Sequence, residues 1–87
     1  MKAFDKNPSD PGLLLCLARA HNKLGRAPPA AAMYRRVLHK QPNNKRALAD
    51  LAKLEAKQGN RGEATDYYER LLALDPNNAA AKAFLGK

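Results

Sequence analysis

The fold is decided by residues 45–78, KRALADLAKLEAKQGNRGEATDYYERLLALDPNN, because they repeat the pattern of the 34 residues before them. Those residues, 11–44, read PGLLLCLARAHNKLGRAPPAAAMYRRVLHKQPNN. Twelve of the 34 positions are identical, and in the first copy they are Leu14, Leu17, Ala18, Lys23, Gly25, Ala30, Tyr34, Arg36, Leu38, Pro42, Asn43 and Asn44. Equal spacing of glycine, proline, alanine and leucine over this length predicts one structural unit that is used twice.

Each copy has the signals of two helices joined by a glycine turn. In the first copy, Asp10 followed by Pro11 marks a helix start, and Gly25 marks its end. Prolines at 28 and 29 suit the first turn of a second helix, and Pro42 stops it. In the second copy Asn44 is the expected N-cap, and Asn60 with Glu63 has the spacing of a capping box. The expected helices end near residues 24, 40, 57 and 74, and a fifth, begun by Asn77 or Asn78, runs to Lys87.

This 34-residue pattern resembles the tetratricopeptide repeat (TPR), whose units carry W-x2-L-G-x2-Y, A-x3-F and P. The first copy reads Leu14-x2-Leu17-Ala18-x2-His21, Ala30-x3-Tyr34 and Pro42, and the second reads Leu48-x2-Leu51-Ala52-x2-Glu55, Ala64-x3-Tyr68 and Pro76. Leucine replaces the large aromatic residue, alanine replaces the helix-contact glycine, and His21 and Glu55 take the tyrosine position. Tyr34 and Tyr68 are expected in the core, whereas Tyr67 is freer to face a partner or a neighbouring helix.

The resemblance implies an all-α fold, an α-solenoid of antiparallel helix pairs with two full repeats and partial flanking helices. Residues 11–44 are expected to form repeat 1 and residues 45–78 repeat 2. Residues 1–10 are expected to be the tail of a preceding repeat or an N-terminal extension, and residues 79–87 the start of a capping or third-repeat helix. Because about three units are usually needed to bury the apolar faces, we expect a piece of a longer array or a chain that self-associates.

Helical periodicity separates an apolar from a basic face on both first helices. Leu14, Leu17, His21 and Leu24 cluster on one side of the first helix, and Leu48, Leu51 and Glu55 do so on the next. In the family that the chain resembles, first helices line a groove in which peptides dock. The candidate groove residues are Arg19, Asn22, Lys23, Arg46, Lys53 and Lys57. Two interpretations stay open: a cationic ladder for an acidic peptide, which Asp50 weakens, or an ordinary solvated face.

A secondary basic surface is expected on the second helix of the first copy. It consists of Arg35, Arg36 and Lys40, with His39 beside them, and the matching helix of the second copy carries Glu63, Asp66 and Glu69. Oppositely charged faces of this kind permit head-to-tail contact between two molecules of the chain. The alternative is a pair of solvated faces with local ion pairs such as Asp66–Arg70.

No arrangement of residues indicates catalysis, a metal ion or a cofactor. The chain has one cysteine, Cys16, so an internal disulfide is excluded, and Cys16 and His21 lie on different sides of the helix. A contact between His21 and Glu55 is conceivable as a packing feature. HExxH, CxxC, GxSxG and phosphate-loop motifs are not found. We therefore expect a chain that is not an enzyme.

The formal net charge of +8 lies mainly in the first copy, where basic residues are not balanced by acidic ones. The function expected is a non-catalytic protein–protein interaction module that binds a peptide segment, with an acidic segment as the candidate ligand. The alternative is binding of nucleic acid or another polyanion through the basic surface, which the scarcity of aromatic residues disfavours. No membrane span is expected. The compartment is left open, with a soluble cytoplasmic chain favoured over a periplasmic one.

Overall fold

The computed structural model describes residues 10–86, and this range contains five helices and no strand. The helices are α1 (Pro11–Lys23), α2 (Ala27–Lys40), α3 (Lys45–Lys57), α4 (Arg61–Leu74) and α5 (Ala79–Leu85). Each helix packs against its neighbours in the chain, so that α1 contacts α2, α2 contacts α3, α3 contacts α4 and α4 contacts α5. Contacts limited to sequence neighbours are typical of a solenoid. The prediction of an all-α repeat fold is confirmed.

Three of the helices begin with the same capping interaction. Side-chain oxygens of Asp10, Asn44 and Asn78 each accept a hydrogen bond from the backbone amide three residues later, at 3.1, 2.9 and 2.9 Å. A cap of this kind pairs one of the amides that a helix start leaves without a partner inside the helix. The predicted caps at Asp10 and Asn44 are therefore confirmed.

Glycines in the left-handed region separate the paired helices. Gly25 has a φ of +77° and Gly59 a φ of +86°, which other residues adopt only at a cost, so the chain can reverse direction tightly after α1 and α3. The helix that follows each turn starts without a side-chain cap.

The predicted capping box at the start of α4 is wrong. Asn60 donates through Nδ2 to Oε1 of Glu55, at 2.7 Å, and makes no cap of its own helix. Glu63 lies instead with its Oε1 3.9 Å from the guanidinium of Arg35. Both side chains are drawn toward charged groups of the preceding helices, which sequence spacing within one helix does not reveal.

Small side chains at the helix contacts form the centre of the core. Ala18 and Ala30 in the first pair, and Ala52 and Ala64 in the second, have no exposed surface. Alanine lets two helix backbones approach closely, so larger neighbouring side chains can pack around the contact. Those neighbours include two tyrosines in the expected core positions, Tyr34 and Tyr68, which are both buried.

The apolar faces of α1 and α3 differ in what covers them. Leu51 of α3 is fully buried, whereas Leu17, at the equivalent position of α1, is 43% exposed. The reason is that α3 packs against both α2 and α4, whereas α1 packs extensively only against α2 among the described helices. Leu24 is 68% exposed for the same reason. Of the three leucines predicted on one side of α1, Leu14 is buried, whereas Leu17 and Leu24 remain exposed.

The ends of the chain lie partly outside the described residues. The expected repeat tail in residues 1–10 falls there except for Asp10, and so does Lys87. The fifth helix was expected to reach Lys87, but α5 ends at Leu85, and Gly86 follows with a φ of +75°.

The unequal burial of two equivalent leucines gives a matched pair of variants. Leu51→Ala should lower the free energy of unfolding by about 2–5 kcal/mol, because it leaves a cavity in a fully packed site. Leu17→Ala removes the same atoms from a half-exposed site and should cost about 1 kcal/mol or less. Urea unfolding followed by circular dichroism measures both, and equal losses would contradict the packing described.

Candidate functional site

A groove between α1 and α3 brings together side chains from both helix pairs. Its deepest part is a pocket of about 310 Å³. The pocket is lined by Arg19, Ala20, Asn22 and Lys23 from α1, Asp50 and Lys53 from α3, and Tyr34 from α2. Four of the six candidate groove residues thus share one pocket. We name this groove, with its lining, the α1–α3 groove.

The other two candidate groove residues lie on α3, outside the pocket. Arg46 and Lys57 are exposed and flank Asp50 and Lys53 along α3. Residues 46, 50, 53 and 57 follow the three- and four-residue spacing that places side chains in one row along a helix. We call these four residues the basic row, although Asp50 is one of them. The basic row extends the positively charged surface beyond the pocket in both directions.

Tyr34 forms the floor of the α1–α3 groove. Its ring has no exposed surface, and its hydroxyl donates to Oδ2 of Asp50 at 3.3 Å. Burial raises the pKa of Tyr34 to about 12, and the charge and hydrogen bond of Asp50 act in the same direction, while Arg19 and Asn22 oppose them. The phenol is therefore uncharged at neutral pH and acts as a donor to the carboxylate.

No carboxylate within residues 10–86 lies at ion-pair distance from the cations of the groove. Within residues 10–86, both ion pairs shorter than 4.0 Å involve Arg35 on α2. Arg19, Lys23 and Lys53 are exposed and lie near a single carboxylate, that of Asp50, which does not approach them within that limit. The α1–α3 groove therefore carries an excess of positive charge toward solvent.

The secondary basic surface does not stay together as one set. Arg36 and Lys40 are exposed on α2, but Arg35 donates to Oε2 of Glu55 at 2.7 Å and also approaches Glu63. Glu55 is only 2% exposed, and its other oxygen accepts from Asn60. Arg35 thus compensates a buried charge and links α2 to α3.

The conceivable contact between His21 and Glu55 is not formed. Both oxygens of Glu55 bind other groups, and Nδ1 of His21 is buried without a hydrogen-bond partner. The sequence contained a signal for the contact between Arg35 and Glu55. Glu55 lies on the apolar face of its helix, and a buried glutamate needs a cation or several hydrogen-bond donors nearby.

Polar contacts on the outer side of α4 also differ from the expected local pairs. Arg70 donates to the backbone oxygen of Pro42 at 3.2 Å. The central carbon of its guanidinium group lies 5.9 Å from the ring centre of Tyr67. Arg70 forms no ion pair with Asp66 within 4.0 Å, so the predicted Asp66–Arg70 pair is wrong. Tyr67 is half-buried, in contrast to the buried Tyr68 beside it.

Three further findings concern residues 10–86. No three side chains of histidine, cysteine, aspartate or glutamate come close enough to hold a metal ion. No helix in this part of the chain combines the length and apolar character needed to cross a bilayer. Cys16 is exposed and has no disulfide partner.

Antiparallel helix pairs that follow one another in a repeated order define an α-solenoid of helix–turn–helix repeats. A family model described as the tetratricopeptide repeat matches residues 28–87, more than half of the chain. The chain belongs to the tetratricopeptide repeat family. The match begins within α2, so α1 lies outside it. A comparison with curated proteins finds no matching sequence.

The raised pKa of Tyr34, which is buried and donates a hydrogen bond to Asp50, predicts a loss of stability at alkaline pH. A pKa raised above the ordinary value of about 10 means that the folded chain holds the phenol proton more tightly than the unfolded chain. The resulting stabilisation is complete below pH 10 and is lost as the pH rises toward 12. Urea unfolding at several pH values should show this decline, and Tyr34→Phe should show less of it. A tyrosinate absorbance titration should lose its component near pH 12 in that variant.

The buried pair of Arg35 and Glu55 predicts unequal effects for two adjacent arginines. Arg35→Ala leaves a buried carboxylate with only Asn60 as a partner and should lower the free energy of unfolding by about 2–3 kcal/mol. Arg36→Ala, at an exposed position, should change it by about 0.5 kcal/mol or less. Thermal or urea unfolding distinguishes the two, and a loss confined to Arg36→Ala would contradict the role given to Arg35.

Proposed function

We propose that this chain is a non-catalytic interaction module that binds an acidic peptide segment of another protein in the α1–α3 groove. Tetratricopeptide repeats are in general protein–protein interaction modules without catalytic activity, and the chain belongs to that family. The observation that carries the finer proposal is the pocket in which Arg19, Lys23 and Lys53 meet, with no carboxylate of the described residues at ion-pair distance. Exposed cations in a groove attract carboxylates and hold them through charge-assisted hydrogen bonds.

The form of the groove supports a peptide as the ligand. The pocket is open, and the row of cations on α3 extends beyond it to Arg46 and Lys57, so an extended segment can contact cations on successive turns. A peptide also supplies backbone amide groups, for which Asn22 and Asp50 offer polar partners. Asp50 lowers the net charge of the pocket but leaves three cations against one carboxylate.

Nucleic acid is the alternative ligand of a basic surface, and the groove supports it less well. Binding of single strands relies on exposed aromatic rings on which bases stack. Tyr34, the one aromatic side chain lining the described pocket, is fully buried, and its hydroxyl is engaged with Asp50. An acidic peptide needs no such platform.

The proposal is tested by peptide binding with two matched charge reversals. Labelled peptides rich in Asp and Glu are titrated with the chain at low and at high ionic strength, and anisotropy is followed. Binding should weaken strongly as salt rises, because exposed charges are screened over about 10 Å at 0.1 M. The double variant Lys53→Glu, Lys57→Glu should weaken binding by about tenfold or more, since two attractions become repulsions.

The control has the same change of net charge on another surface. Arg36→Glu with Lys40→Glu alters exposed residues of α2 and should change the affinity by about twofold, through long-range attraction alone. Equal effects of the two double variants, or binding that is insensitive to salt, would overturn the groove as the site. Retention of a single-stranded oligonucleotide at physiological salt, with no peptide binding, would favour the nucleic-acid alternative.

A further inference from the structure

Asp50 is the one acidic side chain in the α1–α3 groove, and its surroundings differ from those of the cations. It is half-buried, whereas Arg19, Lys23 and Lys53 are exposed. Its place on α3 is between Arg46 and Lys53 in the basic row. The equivalent position of α1 is occupied by Cys16, so the carboxylate is a property of the second unit and not of the repeat.

The hydrogen bonding of Asp50 leaves part of its carboxylate available. Oδ2 accepts from the hydroxyl of Tyr34, and among the described residues no other hydrogen bond or close ion pair reaches the carboxylate. Because Tyr34 is buried at the floor of the groove, this bond orients the carboxylate at the wall of the pocket. Oδ1 is therefore an acceptor that a ligand in the groove can use.

The charge of Asp50 has a consequence for the order of charges in a ligand. A segment that is acidic throughout is attracted by the cations on either side of Asp50. It also places one of its carboxylates near Asp50, where repulsion between the two carboxylates opposes binding. A segment with a basic residue at that point keeps the outer attractions and adds an opposite-charge contact. Electrostatic complementarity of this kind determines which partner is preferred more than it determines overall affinity.

We propose that Asp50 makes the α1–α3 groove selective for a peptide of mixed charge, in which a lysine or arginine lies between acidic residues. The acidic residues face Arg19 and Lys23 on one side and Lys53 on the other, and the basic residue contacts the free oxygen of Asp50. This inference rests on the proposed function, because it names the kind of peptide that the same groove binds.

The test compares two peptides that differ at one position. Both have blocked ends and glutamates on each side of a central residue, which is alanine in one peptide and lysine in the other. The alanine peptide is the more negative, so general attraction to a chain of net charge +8 favours it. A local contact with Asp50 favours the lysine peptide instead. The wild-type chain should bind the lysine peptide about two- to fivefold more tightly, the range expected for one partly exposed ion pair.

Variants of Asp50 then identify the source of that preference. Asp50→Asn keeps the shape and a hydrogen-bond acceptor for Tyr34 but removes the charge, and should reverse the order of the two peptides. Asp50→Glu keeps the charge and should keep the lysine peptide ahead. Asp66→Asn, at an exposed site on α4, makes the same change of net charge and should leave the order unchanged. Circular dichroism of each variant checks that the helices are retained.

The outcomes separate this inference from the function on which it rests. If both peptides bind and the alanine peptide is preferred by the wild-type chain, the selectivity is absent while acidic-peptide binding stands. The same conclusion follows if Asp50→Asn leaves the preference for lysine intact. If neither peptide binds at low salt, both the selectivity and the acidic-peptide groove are overturned.

Discussion

The close approach of paired helices at alanine is the constraint on which the rest of the structure depends. Ala18 and Ala30 in one pair, and Ala52 and Ala64 in the other, are fully buried at equivalent positions. Because both contacts use the same small residue, the two pairs adopt the same geometry and can stack through α2 and α3. The α1–α3 groove follows from that stacking, since it is lined by first helices that are not adjacent in the chain.

Burial determines how the charges of this chain are used. Arg35 and Asn60 satisfy a glutamate that is almost completely buried, so the arginine contributes to cohesion between α2 and α3. Arg19, Lys23 and Lys53 carry the same charge as Arg35, but they lie at the surface of a groove, and no carboxylate in the described part of the chain comes within ion-pair distance of them. They contribute little to folding and are available for a ligand. Asp50 is intermediate, because it is half-buried and one of its oxygens accepts a hydrogen bond from Tyr34.

Sequence periodicity predicted the helices well because helix signals are local. Asp10 and Asn44 cap helices where expected, and Gly25 and Gly59 end them in the left-handed conformation. Expectations failed where a side chain had a choice of partners from other helices. Asn60 and Glu63, spaced as a capping box, bind Glu55 and approach Arg35 instead. A charged group on a neighbouring helix competes with a local cap, and its distance is not encoded in the spacing along one helix.

The sequence by itself determined the repeated helix pairs, their turns and the row of cations on each first helix, because these depend on residue type and on a period of 3.6 residues per turn. Only the tertiary structure decided which apolar positions are covered. Leu51 is buried between two helices, whereas Leu17, of the same type and at the same repeat position, is largely exposed. Only the tertiary structure, likewise, set Asp50 against Tyr34 and brought cations of α1 and α3 to one pocket. Both outcomes depend on contacts between helices, and a face is buried only where another helix is present to cover it.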